Sequence, residues 1–219
     1  MDYILSILGP LAEGSLVTLQ LFLITLLLAV PLGLGLALVR ISRFRVASQA
    51  VNGYIWLMRG TPLMLQMLFI YYALPFVPGV GIRLPDFPAA IVAFALNYAA
   101  YFAEIFRAGI QSIDRGQFEA SRSLGLSFGR TMFHIILPQA FRRMLPPLGN
   151  NAISLLKDSS LISAIGLAEM AYAARTVAGA YSRYWEPYLT ISLMYWILTL
   201  GLAYAVKRLE ARYGRGDSR

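Results

Sequence analysis

The sequence predicts an all-α polytopic membrane protein with five transmembrane helices. Of its 219 residues, 58% are hydrophobic, and the mean hydropathy is +0.62, which exceeds what a soluble domain of this length needs to build a core. Uncharged apolar stretches also recur along the chain, and a helix that crosses a bilayer needs roughly 20 mostly apolar residues. Composition and stretch length together favour a membrane protein.

Five stretches are candidate spans. The first, residues 16–39, contains no charged residue. The others are residues 62–78, 88–110, 145–168 and 188–206. They divide the chain into an N-terminal segment (1–13), a transmembrane domain (14–207) and a C-terminal tail (208–219). No basic region and no cleavage site accompany the first stretch, so we expect no removable signal peptide.

The distribution of basic residues predicts the orientation. The formal net charge is +8, and most of the 19 lysines and arginines follow the first, third and fifth spans. Only Arg83, Arg175 and Arg183 lie in the other two loops. Because cytoplasmic loops carry the excess of Lys and Arg, we expect the N-terminal segment outside and the C-terminal tail in the cytoplasm. Topology thus accounts for the basicity, and we expect contact with membrane lipid and no nucleic-acid partner.

The residue types exclude several chemistries. With no cysteine, the chain has no disulfide, thiolate metal site or cysteine nucleophile. Its one histidine, His134, lies in a predicted cytoplasmic stretch, and no Gly-x-x-x-x-Gly-Lys-Ser/Thr phosphate loop occurs. We therefore expect no enzymatic activity, catalytic residue, cofactor or metal in this chain.

A charged stretch, residues 118–141, lies on the predicted cytoplasmic side. Its residues predict a short helix from 118 to 124 that ends at Gly125 in a left-handed cap. Ser127 is placed to cap a second helix, which Pro138 would bend or stop. The residues alone leave two interpretations open: a helix that docks into a groove of a partner, or one that lies on lipid headgroups.

Within this stretch a resemblance is apparent. The residues that carry it are Glu119-Ala120-Ser121, then Gly125, then Ile136-Leu137-Pro138. They resemble the EAA loop of the membrane subunits of ATP-driven importers, in which the loop is the coupling helix that sits in a cleft of the ATPase. Ser121 stands where the motif usually has a second alanine.

More of the chain resembles the polar amino-acid permeases of that family, which serve histidine, glutamine, arginine, glutamate or cystine. The resembling segments are residues 59–75, 97–125, 136–150 and 155–166. The resemblance covers about residues 14–207, and its motifs occur in the family's order. It implies a type I ABC importer transmembrane domain with five helices and a cytoplasmic coupling helix, in the bacterial cytoplasmic membrane.

The resemblance also implies partners. They are two ATPase subunits that bind ATP and Mg, a second permease subunit that is identical or a close homologue, and an extracellular or periplasmic solute-binding protein. The substrate would be a polar amino acid, carried by alternating access. The residues expected to couple to the ATPase are Phe118, Glu119, Ala120, Ser121 and Gly125.

Polar residues inside the predicted spans are candidates for the transport pathway, because charges there are costly and usually face a cavity or partner. Lys157 and Asp158 interrupt the fourth span and point about 100° apart, so each needs its own partner. For both, a structural role and a pathway role remain open. The residues expected to contact substrate or line the pathway are Asn97, Tyr98, Lys157, Ser160 and Glu169.

Each of these residues has a structural alternative. Asn97 could instead form an interhelical hydrogen bond, and Glu169 could be solvated at the membrane interface. Ion pairs that brace an inner gate, or that anchor helix ends, are expected from Arg59, Glu104, Arg107 and Asp158.

A passive channel or an ion-coupled carrier for small polar solutes is the alternative function. Neither would need a helix that docks on an ATPase. ATP-dependent uptake by purified components discriminates between these functions.

Overall fold

The computed structural model describes residues 2–213, with side chains from residue 7 onward. Its α-helices are α1 (Asp2–Arg40), α2 (Arg45–Gly60), α3 (Leu63–Leu68), α4 (Asp86–Gln111), α5 (Arg115–Ser123), α6 (Phe128–Thr131), α7 (Leu137–Asp158), α8 (Met170–Tyr181) and α9 (Trp185–Tyr213). No strand occurs in this part of the chain. The end of the predicted C-terminal tail, residues 214–219, lies outside the described residues.

Three helices among the described residues are long and apolar enough to cross a membrane: α1 from Ile7 onward, α4 and α9. Phe128–Ile165 and α8 are long and apolar enough to cross a membrane only when they are taken together, and a bend of 51° separates them. The apolar helix Leu63–Phe76, which corresponds to the second predicted span, is shorter. The all-α membrane class is therefore confirmed, and the number of five spans stays a prediction.

The first helix is longer than the sequence predicts. Helix α1 begins at Asp2 and runs without interruption to Arg40, although Pro10 and Pro31 lie within it. Residues 2–13 of the predicted N-terminal segment are therefore helical and continuous with the first span. The side of the membrane that they face stays a prediction.

Helix α4 is the central element. It packs mainly against α1, and also against α7 and α2. About two thirds of its most apolar stretch is buried (67%), against 6% for α9. Small residues allow the close approach of α1, since a Cβ atom built on Gly33 would lie 2.9 Å from the Ala99 carbonyl oxygen. The side chains that α4 turns toward α2 and α7 are thereby held in fixed positions.

The helix that enters the fourth span continues through Pro138. Helix α6 passes through a π-helical turn, Met132–Ile136, into α7, which has Pro138 in its first turn. A proline ring clashes with the carbonyl group four residues earlier in a regular α-helix, and the wider π turn relieves that clash. The helix therefore does not stop at Pro138, and the expected alternative, a bend there, stays a prediction.

The fourth span breaks further along, at the predicted polar interruption. Helix α7 ends at Asp158, and Ser159–Ile165 form a 3-10 segment. Gly166 follows with φ +85°, a left-handed conformation that glycine adopts without steric cost. The chain then turns into α8, which begins at Met170 and packs against α1 and α9.

Candidate functional site: an intramembrane cavity and a cytoplasmic helix

A cavity of about 690 Å³ lies where the α2–α3 junction, α4 and α7 meet. Several of its lining side chains are polar or charged, although it is built on predicted membrane helices. They are Arg59 and Thr61 from the junction, Asn97, Tyr98 and Tyr101 from α4, and Asn151, Ser154 and Asp158 from α7. Polar groups inside a membrane protein mark a ligand or ion pathway by default.

Local sequence explains why these side chains converge. Asn151, Ser154 and Asp158 are spaced by three and four residues, so they share one face of α7. Helix α2 ends at Gly60 because Thr61 precedes a proline, which disfavours the helical conformation; Thr61 is extended, with φ −121° and ψ 147°. The junction residues Gly60, Thr61 and Pro62 line the cavity.

Asp158 and Tyr98 are paired across the cavity wall. The Tyr98 hydroxyl donates to Oδ2 of Asp158 at 2.6 Å. No hydrogen bond to Oδ1 of Asp158 occurs in the described part of the chain. Sequence reasoning required a partner for Asp158 other than Lys157, and the structure supplies Tyr98.

Asn97 joins the cavity to the α2–α3 junction. Its side chain is 3% exposed, and Nδ2 donates to the Met58 carbonyl oxygen and to Oε1 of Gln66, each at 3.0 Å. Gln66 in turn donates to both oxygens of Thr61. Asn97 thus makes the interhelical hydrogen bonds that were the structural alternative, while it also lines the cavity. Its contact with substrate stays a prediction.

Arg59 lies in the cavity wall rather than among the predicted ion pairs. Its guanidinium carbon is 5.3 Å from the centre of the Tyr101 ring, a cation–π distance. No salt bridge of Arg59 occurs within the described residues, and its expected ion pair stays a prediction. Arg59 and Asp158 therefore bring opposite charges to one cavity without an ion pair between them.

The other predicted ion pair is present at the end of α4. Glu104 forms salt bridges with Arg107, three residues later, and with Arg40 at the end of α1. Nε of Arg107 also donates to Oε2 of Glu104 at 3.2 Å. This cluster ties the end of α1 to α4, and its role as an inner gate stays a prediction.

Three predicted pathway residues do not line the cavity. Lys157 is exposed and lies on a different face of α7 from Asp158. The Ser160 hydroxyl donates to the Lys157 carbonyl oxygen at 2.9 Å. Glu169 is fully buried, and the alternative of a solvated interfacial position is wrong for it. The transport roles of all three stay predictions.

The predicted coupling segment folds as a capped helix and a turn. The Asp114 carboxylate accepts from the Gly116 amide at 2.6 Å and caps the start of α5. At the other end, the Leu126 amide donates to the Ser121 carbonyl and the Gly125 amide donates to the Arg122 carbonyl. This bonding is a Schellman motif, and Gly125 has the φ of +69° that it requires. The predicted glycine cap is confirmed.

The coupling segment has an inner and an outer side. Phe118 is half-buried against the core, and Ser121 is buried. Glu119, Ala120 and Gly125 are exposed. The large exposed apolar side chains beside them are Leu124, at 77%, and Phe128, at 72%. Apolar side chains with such exposure favour contact with a partner or with lipid.

Sequence reasoning did not anticipate the cavity as a unit. Arg59 was expected only as an ion-pair residue, a pathway role was left open for Asp158, and Tyr101, Asn151 and Ser154 were not singled out. The spacing of Asn151, Ser154 and Asp158 was the available signal, because it places three polar side chains on one helical face inside an apolar span.

Comparison with known proteins identifies the family. The family model described as binding-protein-dependent transport system inner membrane component matches residues 29–215. The chain is 38% identical over 205 residues to the arginine transport system permease protein ArtQ of Bacillus subtilis, covering 94% of this chain and 93% of that protein. It is 40% identical over 203 residues to the probable glutamine ABC transporter permease protein GlnP of the same organism, with 91% and 92% covered.

The fold agrees with these relatives. A crystal structure of an amino acid ABC transporter with histidines superposes with a TM-score of 0.89 at 37% identity, and the match covers 95% of this chain and 96% of that one. The fold is that of a type I ABC importer transmembrane domain, as the EAA-like segment predicted. The chain belongs to the family of inner-membrane components of binding-protein-dependent transport systems, and it is a multi-pass permease subunit.

Proposed function

We propose that this chain is the permease subunit of an ATP-driven importer, and that it carries a polar amino acid across the cytoplasmic membrane by alternating access. The names of its relatives support an amino-acid substrate, since they are permeases for arginine, glutamine and L-cystine. The single observation that carries the proposal is the pair of opposite charges, Arg59 and Asp158, in one intramembrane cavity.

These two charges suit the backbone of an amino acid. A guanidinium presents two parallel donors to a carboxylate, so Arg59 would bind the substrate carboxylate. Asp158 would accept from the substrate ammonium through Oδ1, while Tyr98 holds Oδ2. An unpaired charge within a membrane is costly, and a zwitterionic ligand would neutralise both. The cavity volume of about 690 Å³ also fits a small ligand.

The source of energy lies outside this chain. Two ATPase subunits would bind ATP and Mg and would contact the exposed side of the coupling segment at Glu119, Ala120 and Gly125. A second permease subunit, identical or homologous, would complete the pathway, and an external solute-binding protein would deliver the amino acid. ATP binding would close the ATPase pair and move the docked helices together, which shifts the permease between inward-facing and outward-facing states.

The test is uptake by a reconstituted complex. The chain is purified with the subunits that copurify with it, placed in liposomes, and supplied with labelled glutamine, arginine or cystine and the solute-binding protein. We expect accumulation of at least one amino acid that requires both ATP and the binding protein. Equal uptake without ATP would favour a passive channel or an ion-coupled carrier instead. Robust ATP hydrolysis by the isolated chain would also contradict the proposal.

A further inference from the structure

One hydroxyl group lies beside both ends of the break in the fourth span. Ser159, the first residue after α7, is fully buried, and its Oγ lies 3.5 Å from the hydroxyl oxygen of Tyr195 on α9. The same Tyr195 hydroxyl donates to Oε2 of Glu169 at 3.1 Å. The Ser159 hydroxyl donates its own proton to the Leu156 carbonyl oxygen at 2.6 Å. Ser159 and Glu169 bound the non-α-helical connection between α7 and α8, so the Tyr195 hydroxyl is hydrogen-bonded to its end and in contact with its start.

Glu169 is fixed on its other side as well. Its Oε1 accepts from the Tyr172 amide at 2.8 Å and caps the start of α8. Both carboxylate oxygens are therefore hydrogen-bonded although the side chain is 0% exposed, which is the condition under which a buried carboxylate is tolerated. Glu169 thus links the Tyr195 hydroxyl to the first turn of α8.

The surroundings leave this connection little freedom. A Cβ atom built on Gly14 of α1 would lie 2.8 Å from the Glu169 carbonyl carbon, so α1 packs directly on the backbone at this point. Met170 next to it is fully buried in a second apolar cluster formed by α1, α8 and α9. The end of the break is therefore clamped between α1 and α9. Its start is held by the hydrogen bonds of Asp158 with Tyr98 and of Ser159 with the Leu156 carbonyl oxygen, and Ser159 is in contact with Tyr195.

The start of the break is also the wall of the cavity. Asp158 lies on the cavity side and is held by Tyr98, whereas Ser159, the next residue, faces α9 and Tyr195. A shift of Ser159 would move the adjacent Asp158 carboxylate, because the two share a peptide bond. Contacts on α9 therefore influence the group that faces the ligand without touching the ligand themselves.

We propose that Tyr195 and Glu169 form a positioning pair, which fixes the break in the fourth span so that Asp158 presents its carboxylate to the substrate. This inference rests on the proposed transport function and assigns Glu169 an indirect role in it. The pair sets the affinity for the amino acid, and it leaves the ATPase contact surface, which lies on α5, unaffected.

The test uses the reconstituted complex with the labelled amino acid that the wild type accumulates. Tyr195→Phe removes the hydroxyl and keeps the ring, so we expect the KM for uptake to rise about five- to tenfold. This is less than the direct loss of a hydrogen bond to a charged group, because Tyr195 acts on the ligand only through Asp158. We expect Vmax and ATP hydrolysis without substrate to change less than twofold. Tyr188→Phe, an exposed tyrosine on the same helix, is the matched control and should keep the wild-type KM.

A second variant keeps the inference falsifiable if Tyr195→Phe assembles poorly. Glu169→Gln retains an acceptor for the Tyr172 amide and an amide group that can donate to the Tyr195 oxygen, so it should restore most of the affinity that Glu169→Ala loses. Combining Glu169→Ala with Tyr195→Phe should raise KM no further than the larger single effect, because groups that act as a unit are not additive.

The outcomes separate this inference from the proposed function. Absence of ATP-dependent uptake by the wild type would overturn the proposed function and this inference with it. Wild-type uptake combined with an unchanged KM in Tyr195→Phe and Glu169→Ala would overturn the inference alone. Loss of thermal stability and Vmax at unchanged KM would also overturn it, since that result indicates a purely structural pair.

Discussion

The Tyr98 hydroxyl donates a hydrogen bond of 2.6 Å to Oδ2 of Asp158, and so joins the middle of α4 to the last residue of α7. The two residues are 60 positions apart in the sequence. Because α4 is packed against α1, α2, α3 and α7, Tyr98 is a fixed reference point, and it orients the carboxylate that closes one side of the cavity. The hydrogen bond proposed between the substrate ammonium and Asp158 depends on this orientation.

Removing the charge of Asp158 should weaken substrate binding. We expect Asp158→Asn to raise the KM for amino-acid uptake at least about tenfold, because a charge-assisted hydrogen bond contributes about 1.5–3 kcal/mol. Tyr98→Phe should raise it less, by about fivefold, since the carboxylate remains. Lys157→Gln should change it less than about twofold, because Lys157 is exposed and outside the cavity. Uptake kinetics in proteoliposomes measure all three, and a wild-type KM for Asp158→Asn would contradict the zwitterion site.

The same cavity predicts which amino acids compete. If Arg59 and Asp158 bind the substrate backbone, the substrate side chain is left with the other polar residues of the lining, such as Asn151 and Ser154. These residues carry no charge. We therefore expect glutamine or asparagine to bind the permease–ATPase complex more tightly than arginine, lysine or glutamate. Calorimetry on that complex without the solute-binding protein measures the preference of the permease itself. Preferential binding of arginine would indicate that Asp158 contacts a cationic side chain instead.

Much of the fold follows from sequence, because spans and caps are local signals. The apolar length of α1 and α4, the cap at Gly125 and the polar interruption after Asp158 were each visible in a short window. The number of spans was harder to predict, since residues 62–78 form an apolar helix of marginal length and the fourth span breaks. The helix does not stop at Pro138 because a π turn, which has no sequence signature here, accommodates its ring.

The site was less predictable because it depends on tertiary contacts. Glu169 follows a predicted span and was expected near substrate or solvent, yet α1 and α9 cover it completely. Arg59 was expected among ion-pair residues, whereas its side chain stacks on Tyr101 and lines the cavity. In both cases the residue type indicated a polar role, but only packing between distant helices decides which partner is reached.

The contact of α1 with α4 should tolerate no side chain at Gly33. In Gly33→Ala the new Cβ would lie 2.7 Å from Cβ of Phe102, and overpacking of this kind costs about 1–3 kcal/mol. We expect a lower Tm of the purified complex in a thermal unfolding assay. Gly35→Ala is the matched control, since nothing lies within 4 Å of its Cβ position. Equal Tm values for the two variants would show that the helices separate easily at this point.

The proposed orientation predicts where two reporters appear. A tag after Arg219 should be accessible only from the cytoplasm, and a tag inserted beside Arg83 only from outside, because the basic residues concentrate in the loops assigned to the cytoplasm. Accessibility to a membrane-impermeant label in intact and opened cells measures both. Detection of both tags on one side of the membrane would contradict the predicted number of five spans. It would also contradict the cytoplasmic location proposed for the coupling segment.

The last prediction concerns the coupling segment, where Glu119 is exposed beside the apolar side chains of Leu124 and Phe128. Docked on an ATPase, Glu119 would be partly desolvated and would accept from donors of that subunit. Glu119→Arg would leave those donors unpaired, at a cost of about 2–5 kcal/mol for a buried pair. We expect this variant to insert in the membrane normally and to lose copurification with the ATPase or substrate-stimulated ATP hydrolysis.

Gly125→Val tests the same surface through the backbone instead of the charge. Gly125 has φ +69°, and a β-branched residue resists a positive φ, so the Schellman turn that sets the direction of the segment should be distorted. Gly129→Ala is the matched control, because Gly129 lies in α6, where its added Cβ would meet nothing within 4 Å. ATP hydrolysed per amino acid taken up is the measurement, and Gly125→Val should raise it while Gly129→Ala leaves it unchanged. If Glu119→Arg and Gly125→Val both couple hydrolysis to uptake as the wild type does, the segment lies on lipid headgroups and the ATPase contacts another surface.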